Sequence, residues 1–143
     1  MTIKSILAGK RSDIVTIEPT ATLADAVKLL ADNRIGAVIV TGADDRLVGI
    51  LSERDIVRTL SKQGPDALRA PVSESMTRKV VTCTESETIS DIMERMTAGK
   101  FRHVPVVDQG RLLGIVSIGD VVKSRLEEMA RESDALRDYI RSA

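Results

Sequence analysis

The chain has 143 residues, a mass of 15.5 kDa and equal numbers of basic and acidic residues, 21 of each. This length supports one compact domain or two small units that share a core. The resulting net charge of zero argues against a broad electrostatic surface for nucleic acids or anionic membranes. An aromatic content of 1% also leaves no rings for a base-stacking platform.

Several further classes of protein and site are excluded by what the sequence lacks. No apolar run approaches the roughly 18 residues of a membrane span, and residues 1–4 do not provide the apolar core of a secretion signal. Cys83 is the only cysteine and His103 the only histidine, which excludes an internal disulfide and a cysteine-rich or multi-histidine zinc site. We therefore expect a cytoplasmic protein without a metal centre.

The sequence contains an internal duplication. Residues 15–41 align with the chain 66 positions further on, and residues 46–57 align at a spacing of 65, with 13 identities in 39 aligned positions. Chance would give roughly two or three identities at average residue usage. Two copies indicate a duplicated domain rather than a solenoid, which needs three or more repeats.

Both copies predict the same order of elements, β-α-β-β-α. The first copy predicts β segments over 14–17, 37–40 and 47–51, with helices starting at Thr22 and Ser52. The second predicts β segments over 80–83, 104–107 and 112–116, with helices starting at Thr88 and Ser117. Each helix start carries a hydroxyl residue followed three positions later by aspartate, which is a capping signature.

The remaining segments complete the predicted domain organisation. We assign repeat 1 to residues 1–62, a linker to 63–71 with a short helical turn around 66–70, repeat 2 to 72–123 and a helical extension to 124–143. In the extension and the turn before it, a heptad-like seam has spacings of four and three and consists of Val122, Leu126, Met129, Ser133, Leu136 and Ile140. This pattern fits either a long helix lying on its own module or a helix that pairs with a partner chain. The fold class is α+β, and because each copy alone buries too little surface, we expect the two to pack with pseudo-two-fold symmetry.

These repeats resemble the cystathionine-β-synthase (CBS) domain family, as a tandem pair or Bateman module. The resemblance rests on three segments in order: 72–77 (VSESMT), 101–108 (FRHVPVVD) and 113–120 (LGIVSIGD), with the first copy's matching segment at 47–55. It covers residues 1–123. The family implies a non-catalytic regulatory module that binds adenosyl ligands in clefts between its repeats, such as AMP, ADP, ATP, NAD(H) or S-adenosylmethionine. It also implies a homodimer that acts on a separate effector protein.

The serine and aspartate at each second helix start have two interpretations. Capping alone explains Ser52 with Asp55 and Ser117 with Asp120. The same geometry creates an anion site at a helix N-terminus, and the resemblance implies that the aspartate holds the ligand's ribose.

The resemblance also implies two unequal nucleotide sites, each drawing on both repeats. The residues expected at the first site are Ser52, Arg54, Asp55, Thr77, Val81, Arg102 and His103. The residues expected at the second site are Ser117, Asp120, Lys10, Val15 and Ala37. Arg102 and His103 would hold phosphate, whereas the first copy has Gly36 and Ala37 at the matching positions.

The leading hypothesis is thus a non-catalytic sensor of adenine nucleotides that signals energy or redox state. The alternative is a ligand-free interaction or scaffold module in which the aspartates are only caps. An enzyme is disfavoured because the sequence shows no activated nucleophile with a neighbouring base and no phosphate-binding glycine loop.

Overall fold

The computed structural model describes residues 1–9 and 14–142, so Lys10 of the predicted second site lies outside the described residues. The described residues form five α-helices and five β-strands, confirming the α+β class. The helices are α1 (Ile3–Gly9), α2 (Leu23–Asn33), α3 (Glu53–Gln63), α4 (Ile89–Gly99) and α5 (Ile118–Ser142). The strands are β1 (Thr16–Ile17), β2 (Ala37–Thr41), β3 (Leu47–Ser52), β4 (His103–Asp108) and β5 (Arg111–Ser117).

The predicted helix starts are confirmed by their hydrogen bonds. Thr22, Ser52 and Thr88 are the N-cap residues of α2, α3 and α4, and each side chain accepts a hydrogen bond from the backbone N–H three residues later. Ser117 plays the same part before α5, where its Oγ accepts from the Asp120 N–H at 3.1 Å. The local sequence therefore fixes where all four long helices begin.

The chain forms two compact units, and the boundaries of these units differ from those of the two sequence repeats. One unit consists of the described residues 14–81 and 109–112, and the other of 1–9, 82–108 and 113–142. The start of α2 pairs with the linker, where the Leu23 N–H donates to the Ala70 carbonyl at 2.9 Å. The start of α4 pairs with the chain's first residues, where the Ile89 N–H donates to the Met1 carbonyl at 3.1 Å.

Each unit has its own aliphatic core. In the first, β2 is the middle strand of the sheet β1-β2-β3, parallel to β1 and antiparallel to β3. All five residues of β2 are buried. In the second, β4 pairs with β5, and the core includes Ile3 and Ile6 of α1. The cores use Val, Ile, Leu, Met, Ala and Cys, with Phe101 packed at the edge of the second.

The β segment predicted over 80–83 is the main disagreement between the sequence and the fold. Only Cys83 pairs, in a parallel bridge with Val106, where the Cys83 N–H donates to the Pro105 carbonyl at 3.0 Å. The next hydrogen bond between these two segments, towards the N-terminus, would need a backbone N–H at position 105, and proline has no backbone N–H. In addition, the carbonyl of Thr82 accepts from Arg95 Nη1 at 3.3 Å.

The carboxyl-terminal part of the chain is one continuous helix. α5 contains both the second helix of repeat 2 and the predicted extension, and it runs for 25 residues. Val121 and Ser124 are buried, whereas every described residue from Met129 to Ser142 is exposed. The predicted helical turn in the linker is a 3-10 helix, Pro65–Arg69.

Candidate functional site

The start of α3 holds a buried carboxylate. Asp55 Oδ2 accepts hydrogen bonds from the Ser52 N–H at 2.9 Å and from the Ser52 hydroxyl at 3.1 Å. In return, the Asp55 N–H donates to Ser52 Oγ at 3.3 Å. The Asp55 side chain is only 9% exposed. A capping box thus fixes one carboxylate oxygen and leaves Oδ1 directed to other partners.

Thr77 supplies a hydroxyl to that second oxygen. Its Oγ1 donates to Asp55 Oδ1 at 3.3 Å, although the two residues are 22 positions apart. Thr77 is held there by two backbone hydrogen bonds with Ile50, of 2.8 and 3.0 Å. Gly49 permits this approach, because a Cβ at that position would lie 3.0 Å from the Thr77 carbonyl oxygen. The sequence grouped Ser52, Asp55 and Thr77 in one site, and the structure brings these three together.

Arginine side chains border the same helix start. Arg58 Nη1 lies 3.7 Å from Asp55 Oδ1, and the Arg58 side chain is largely exposed, so the pairing contributes little to stability. Arg54, predicted for this site, is exposed and lies in the first turn of α3. Arg58 was not among the predicted residues, and its position three residues after Asp55 on a helix is the signal that could have found it.

The start of α5 repeats the capping geometry with different neighbours. Asp120 Oδ2 accepts from the Ser117 N–H at 2.9 Å, and Asp120 is half-buried. The carbonyl of Arg102 accepts from the Ile118 N–H at 2.8 Å, which fixes the Arg102 backbone at this helix start. The Arg102 side chain is exposed, and His103 is half-buried at the beginning of β4. Within this unit, the backbone of Arg102 therefore adjoins the Ser117–Asp120 cap.

The same backbone link in the first repeat fixes Ala37. The Gly36 carbonyl accepts from the Glu53 N–H at 3.0 Å, and Ala37 is the register partner of Ser52 in the β2–β3 ladder. The sequence assignment grouped Ala37 with Asp120 and Arg102 with Asp55. In the structure, the backbone of each residue lies beside the helix start of its own repeat, because the Gly36 carbonyl bonds to α3 and the Arg102 carbonyl bonds to α5. The grouping of these side chains across the two repeats stays a prediction.

The resemblance assigned Val81 to the first site and Val15 to the second, and these valines differ in exposure from their neighbours in the cores. Val81 is 41% exposed, and Val15 is half-buried against the core of its unit. Val38 and Val104, which occupy matching positions in the two repeats, are each 1% exposed and belong to the cores. Val81 is therefore the most accessible apolar side chain among them.

The described residues lack the features of two other kinds of site. Among residues 1–9 and 14–142, no cluster of three or more His, Cys, Asp or Glu side chains has an arrangement that could hold a metal ion. None of the helices in this part of the chain combines the length and apolarity that a membrane crossing requires.

Comparison with known proteins identifies the class of this fold. The family model described as "CBS domain" matches the chain twice, at residues 3–62 and 72–127. These matches cover most of the sequence, and the chain belongs to the CBS domain family.

Solved structures of the family share most of this fold. A CBS-domain containing protein from Agrobacterium tumefaciens is 47% identical, with a TM-score of 0.84 over 87% of this chain and 92% of its own. The CBS domain pair of protein MJ0100, in complex with 5′-methylthioadenosine and S-adenosyl-L-methionine, is 26% identical, with a TM-score of 0.79 over 90% and 98% of the two chains. A CBS domain protein from Pyrobaculum aerophilum complexed with AMP is 28% identical, with a TM-score of 0.75 over 84% and 89%. This chain is thus a small member of the CBS-pair proteins, some of which have structures with adenosyl ligands.

Proposed function

We propose that this protein is a non-catalytic regulatory module that binds an adenosyl ligand, namely AMP, ADP, ATP or NAD(H). Binding would signal energy or redox state to a separate effector protein in the cytoplasm, and the module would act as a homodimer. A ligand regulates only through different affinities for two states of the protein. The proposal therefore requires both a binding site and a conformational or assembly change that follows occupancy.

The buried Asp55 carboxylate is the observation that carries the proposal. Its Oδ1 already accepts a hydroxyl hydrogen bond from Thr77, at a helix N-terminus that favours negative charge. A ribose presents the same kind of donor, two adjacent hydroxyl groups, to a carboxylate. The ligands of the two liganded relatives, AMP and the pair 5′-methylthioadenosine and S-adenosyl-L-methionine, all contain that ribose within an adenosine group.

Arg102 and His103 support a phosphate-binding role. Arg102 has an exposed guanidinium, whose planar donors suit phosphate oxygens. Its backbone is fixed at the Ser117–Asp120 cap, where the positive end of the α5 dipole also favours an anion. We expect a ligand held by Asp120 to depend on Arg102 and His103 for its phosphate, and a ligand held by Asp55 to depend on them less.

The first test is thermal unfolding, followed by circular dichroism because the chain has no tryptophan. AMP, ATP, NADH and S-adenosylmethionine are added in turn. A ligand at 100 times its dissociation constant adds about 2.7 kcal/mol to stability, which raises Tm visibly. Asp55→Ala should remove the increase caused by the ligand that Asp55 holds.

Asp25→Ala is the matched control for that variant. Asp25 closes the capping box of α2 with the same two hydrogen bonds, but it lies on an exposed helix start without a Thr77-like partner. It should lower Tm by a similar capping cost and leave the ligand-induced increase unchanged. If Asp55→Ala retains the full increase for every ligand, Asp55 does not hold the ribose.

Titration calorimetry of Arg102→Ala tests the phosphate role. AMP binding should weaken while adenosine binding stays unchanged, and the lost binding event should be the one that Asp120→Ala also removes. If the lost event coincides with that of Asp55→Ala, the grouping predicted from the sequence is correct instead. If no adenosyl ligand binds at all, the scaffold function replaces the sensor.

A further inference from the structure

The exposed face of α5 has the residue pattern of an intermolecular helix pair. We define the α5 seam as Val122, Leu126, Met129, Ser133, Leu136 and Ile140. Its five apolar members are 44% to 65% exposed, whereas most other large aliphatic side chains of the described residues are buried or half-buried. The interpretation of α5 as a helix lying along its own module therefore fails for the part beyond Glu128.

An unsupported helix of this length is unstable in water. The described residues from Met129 to Ser142 are all exposed, so they belong to neither of the cores that the described residues form. Isolated helices shorter than about 12–15 residues are marginal even with favourable sequences. Packing of the α5 seam against another helix would supply the missing stabilisation, over a length of about 28 Å at 1.5 Å per residue.

We propose that the α5 seam pairs in parallel with the α5 seam of a second copy of this chain, forming a short two-stranded coiled coil. In heptad terms, Leu126, Ser133 and Ile140 take the a positions, while Val122, Met129 and Leu136 take the d positions. This inference deepens the homodimer part of the proposed function by naming the surface that forms the dimer. It does not depend on nucleotide binding.

Charge complementarity selects the parallel orientation. In a parallel pair, the g position of one helix faces the e position of the next heptad on the other. Glu132 is at g and Arg137 at e, so each Glu132 would face an Arg137 of the second copy, twice by symmetry. Both residues are exposed on α5.

The antiparallel alternative places like charges together. To align the same seam, the two helices would cross at residue 131, with Val122 opposite Ile140 of the second copy. Glu132 would then face Glu132 of the second copy, and Lys123 would face Arg137 of the second copy. Like charges in these positions are unfavourable. The seam is self-complementary in both orientations, but the flanking charges fit only the parallel one.

Sedimentation velocity over a concentration series tests whether the seam forms the dimer. The full-length chain should show a concentration-dependent dimer, because fewer than three heptads give a modest affinity. Leu136→Asp should make the chain monomeric. Ala135→Asp, on the outer face of the same helix turn, should remain dimeric. A dimer that persists in Leu136→Asp overturns the seam but leaves the homodimer proposal standing, whereas a wild-type monomer at every concentration overturns both.

Charge exchange tests the register. Glu132→Arg and Arg137→Glu should each weaken the dimer about tenfold, since each creates two like-charge pairs. The double variant should restore the wild-type affinity. These residues are five positions apart and do not face each other within one helix. Restored dimer affinity in the double variant would therefore indicate an intermolecular pair. If the two losses of affinity add up in the double variant instead, the parallel register is wrong.

Cysteine cross-linking tests the orientation independently. Ile140→Cys should give a covalent dimer on oxidation, because parallel pairing places the two introduced thiols side by side. In the antiparallel pair they would be about 27 Å apart axially, and a disulfide requires Cα atoms within about 7 Å. Ala135→Cys is the outward-facing control, and the wild type gives the background from buried Cys83. Cross-linking no greater than these controls overturns the parallel pair.

A measurement of nucleotide binding by the Leu136→Asp variant distinguishes a failure of the seam proposal from a failure of the sensor proposal. The substitution lies on an exposed turn of α5, far along the helix from the Ser117 cap, so the Tm increase caused by ligand should match that of the wild type. A chain that binds ligand but never dimerises contradicts the seam and the homodimer, and leaves the ligand-binding part of the proposed function standing. A chain that dimerises through the seam but binds no ligand contradicts only the sensor.

Discussion

The second helices of the two repeats, α3 and α5, begin alike and then diverge. Both start at a serine whose hydroxyl and backbone bond to an aspartate three residues later. α3 ends after 11 residues at Gly64, which has φ +73° and precedes a proline. α5 meets no such pair and continues for 25 residues. The cap sets where a helix begins, and the residues after it decide whether the helix closes the repeat or leaves it.

A second contrast lies in the strands beside these helices. The first repeat has Ile39 in the middle of a three-stranded sheet, and the second has Pro105 at the matching position of a two-stranded sheet. Proline in place of Ile39 should cost about 3 kcal/mol or more, through a lost ladder bond and lost packing. Pro105→Ile should gain about 0.5–1.5 kcal/mol by restoring an N–H for pairing with 80–83. Thermal and urea unfolding followed by circular dichroism measure both.

A loss of stability in Ile39→Pro together with a gain of stability in Pro105→Ile would establish that the residue at position 105 limits strand pairing in the second sheet. If Pro105→Ile leaves stability and strand content unchanged, the bond from Arg95 to the Thr82 carbonyl is the stronger cause.

The bridge residue of the second repeat carries a titratable group that the first lacks, since Cys83 aligns with Ile17. Burial raises the pKa of the Cys83 thiol from 9.0 to about 11, and the Arg95 guanidinium lowers it by less. The unfolded chain therefore loses this proton first, so stability should be unaffected below pH 9 and fall as the pH rises from 9 to 11. The full loss is on the order of 2–3 kcal/mol.

Urea midpoints of the wild type and Cys83→Ala, measured across that pH range, isolate this contribution from other groups. The difference between the two proteins should shrink as the pH rises. A difference that stays constant would show that the thiol titrates equally in the folded and unfolded chains.

The glycines before the two helix starts should differ in their tolerance of a methyl group. A Cβ at Gly49 would lie 3.0 Å from the Thr77 carbonyl oxygen, which is backbone, and 2.6 Å from Met76 Sδ. A Cβ at Gly114 would meet only the end of the Leu7 side chain, at 2.8 Å. Gly49→Ala should cost about 1–3 kcal/mol, and Gly114→Ala less than about 1 kcal/mol.

Chemical denaturation of the two alanine variants checks that order. Equal losses would mean that the Met76–Thr77 segment moves away as readily as the Leu7 side chain does.

The hydroxyl beside Asp55 should have the smallest effect. Thr77→Val removes the hydrogen bond to Oδ1 while keeping the side-chain shape, and should cost about 1 kcal/mol. Thr97→Val is the control, because the Thr97 hydroxyl bonds only to the carbonyl four residues earlier in its own exposed helix. If both variants unfold at the same midpoint, the Thr77–Asp55 bond contributes nothing to folding.

Features that depend on nearby residues were predictable from the sequence. The capping residues at Thr22, Ser52, Thr88 and Ser117 are set by local hydrogen bonding, and the strands that follow α2 and α4 are indicated by short apolar runs rich in valine. Features that depend on distant partners were not. The loss of pairing over 80–83 depends on Pro105 and Arg95, and the position of Arg102 depends on a backbone bond to Ile118. Repeat spacing shows which residues correspond, but it does not show which of them bond.

The pairing of the first residues with the start of α4 affects the order in which the chain can fold during synthesis. Nearly all of one unit, residues 14–81, is contiguous and leaves the ribosome early. The other requires residues 1–9 to remain available until residues 82–142 have been made. Closing that long loop delays its nucleus. Residues 1–9 should therefore stay unfolded after residues 14–81 have folded, and Ile3 should be among the last core side chains to lose contact with water.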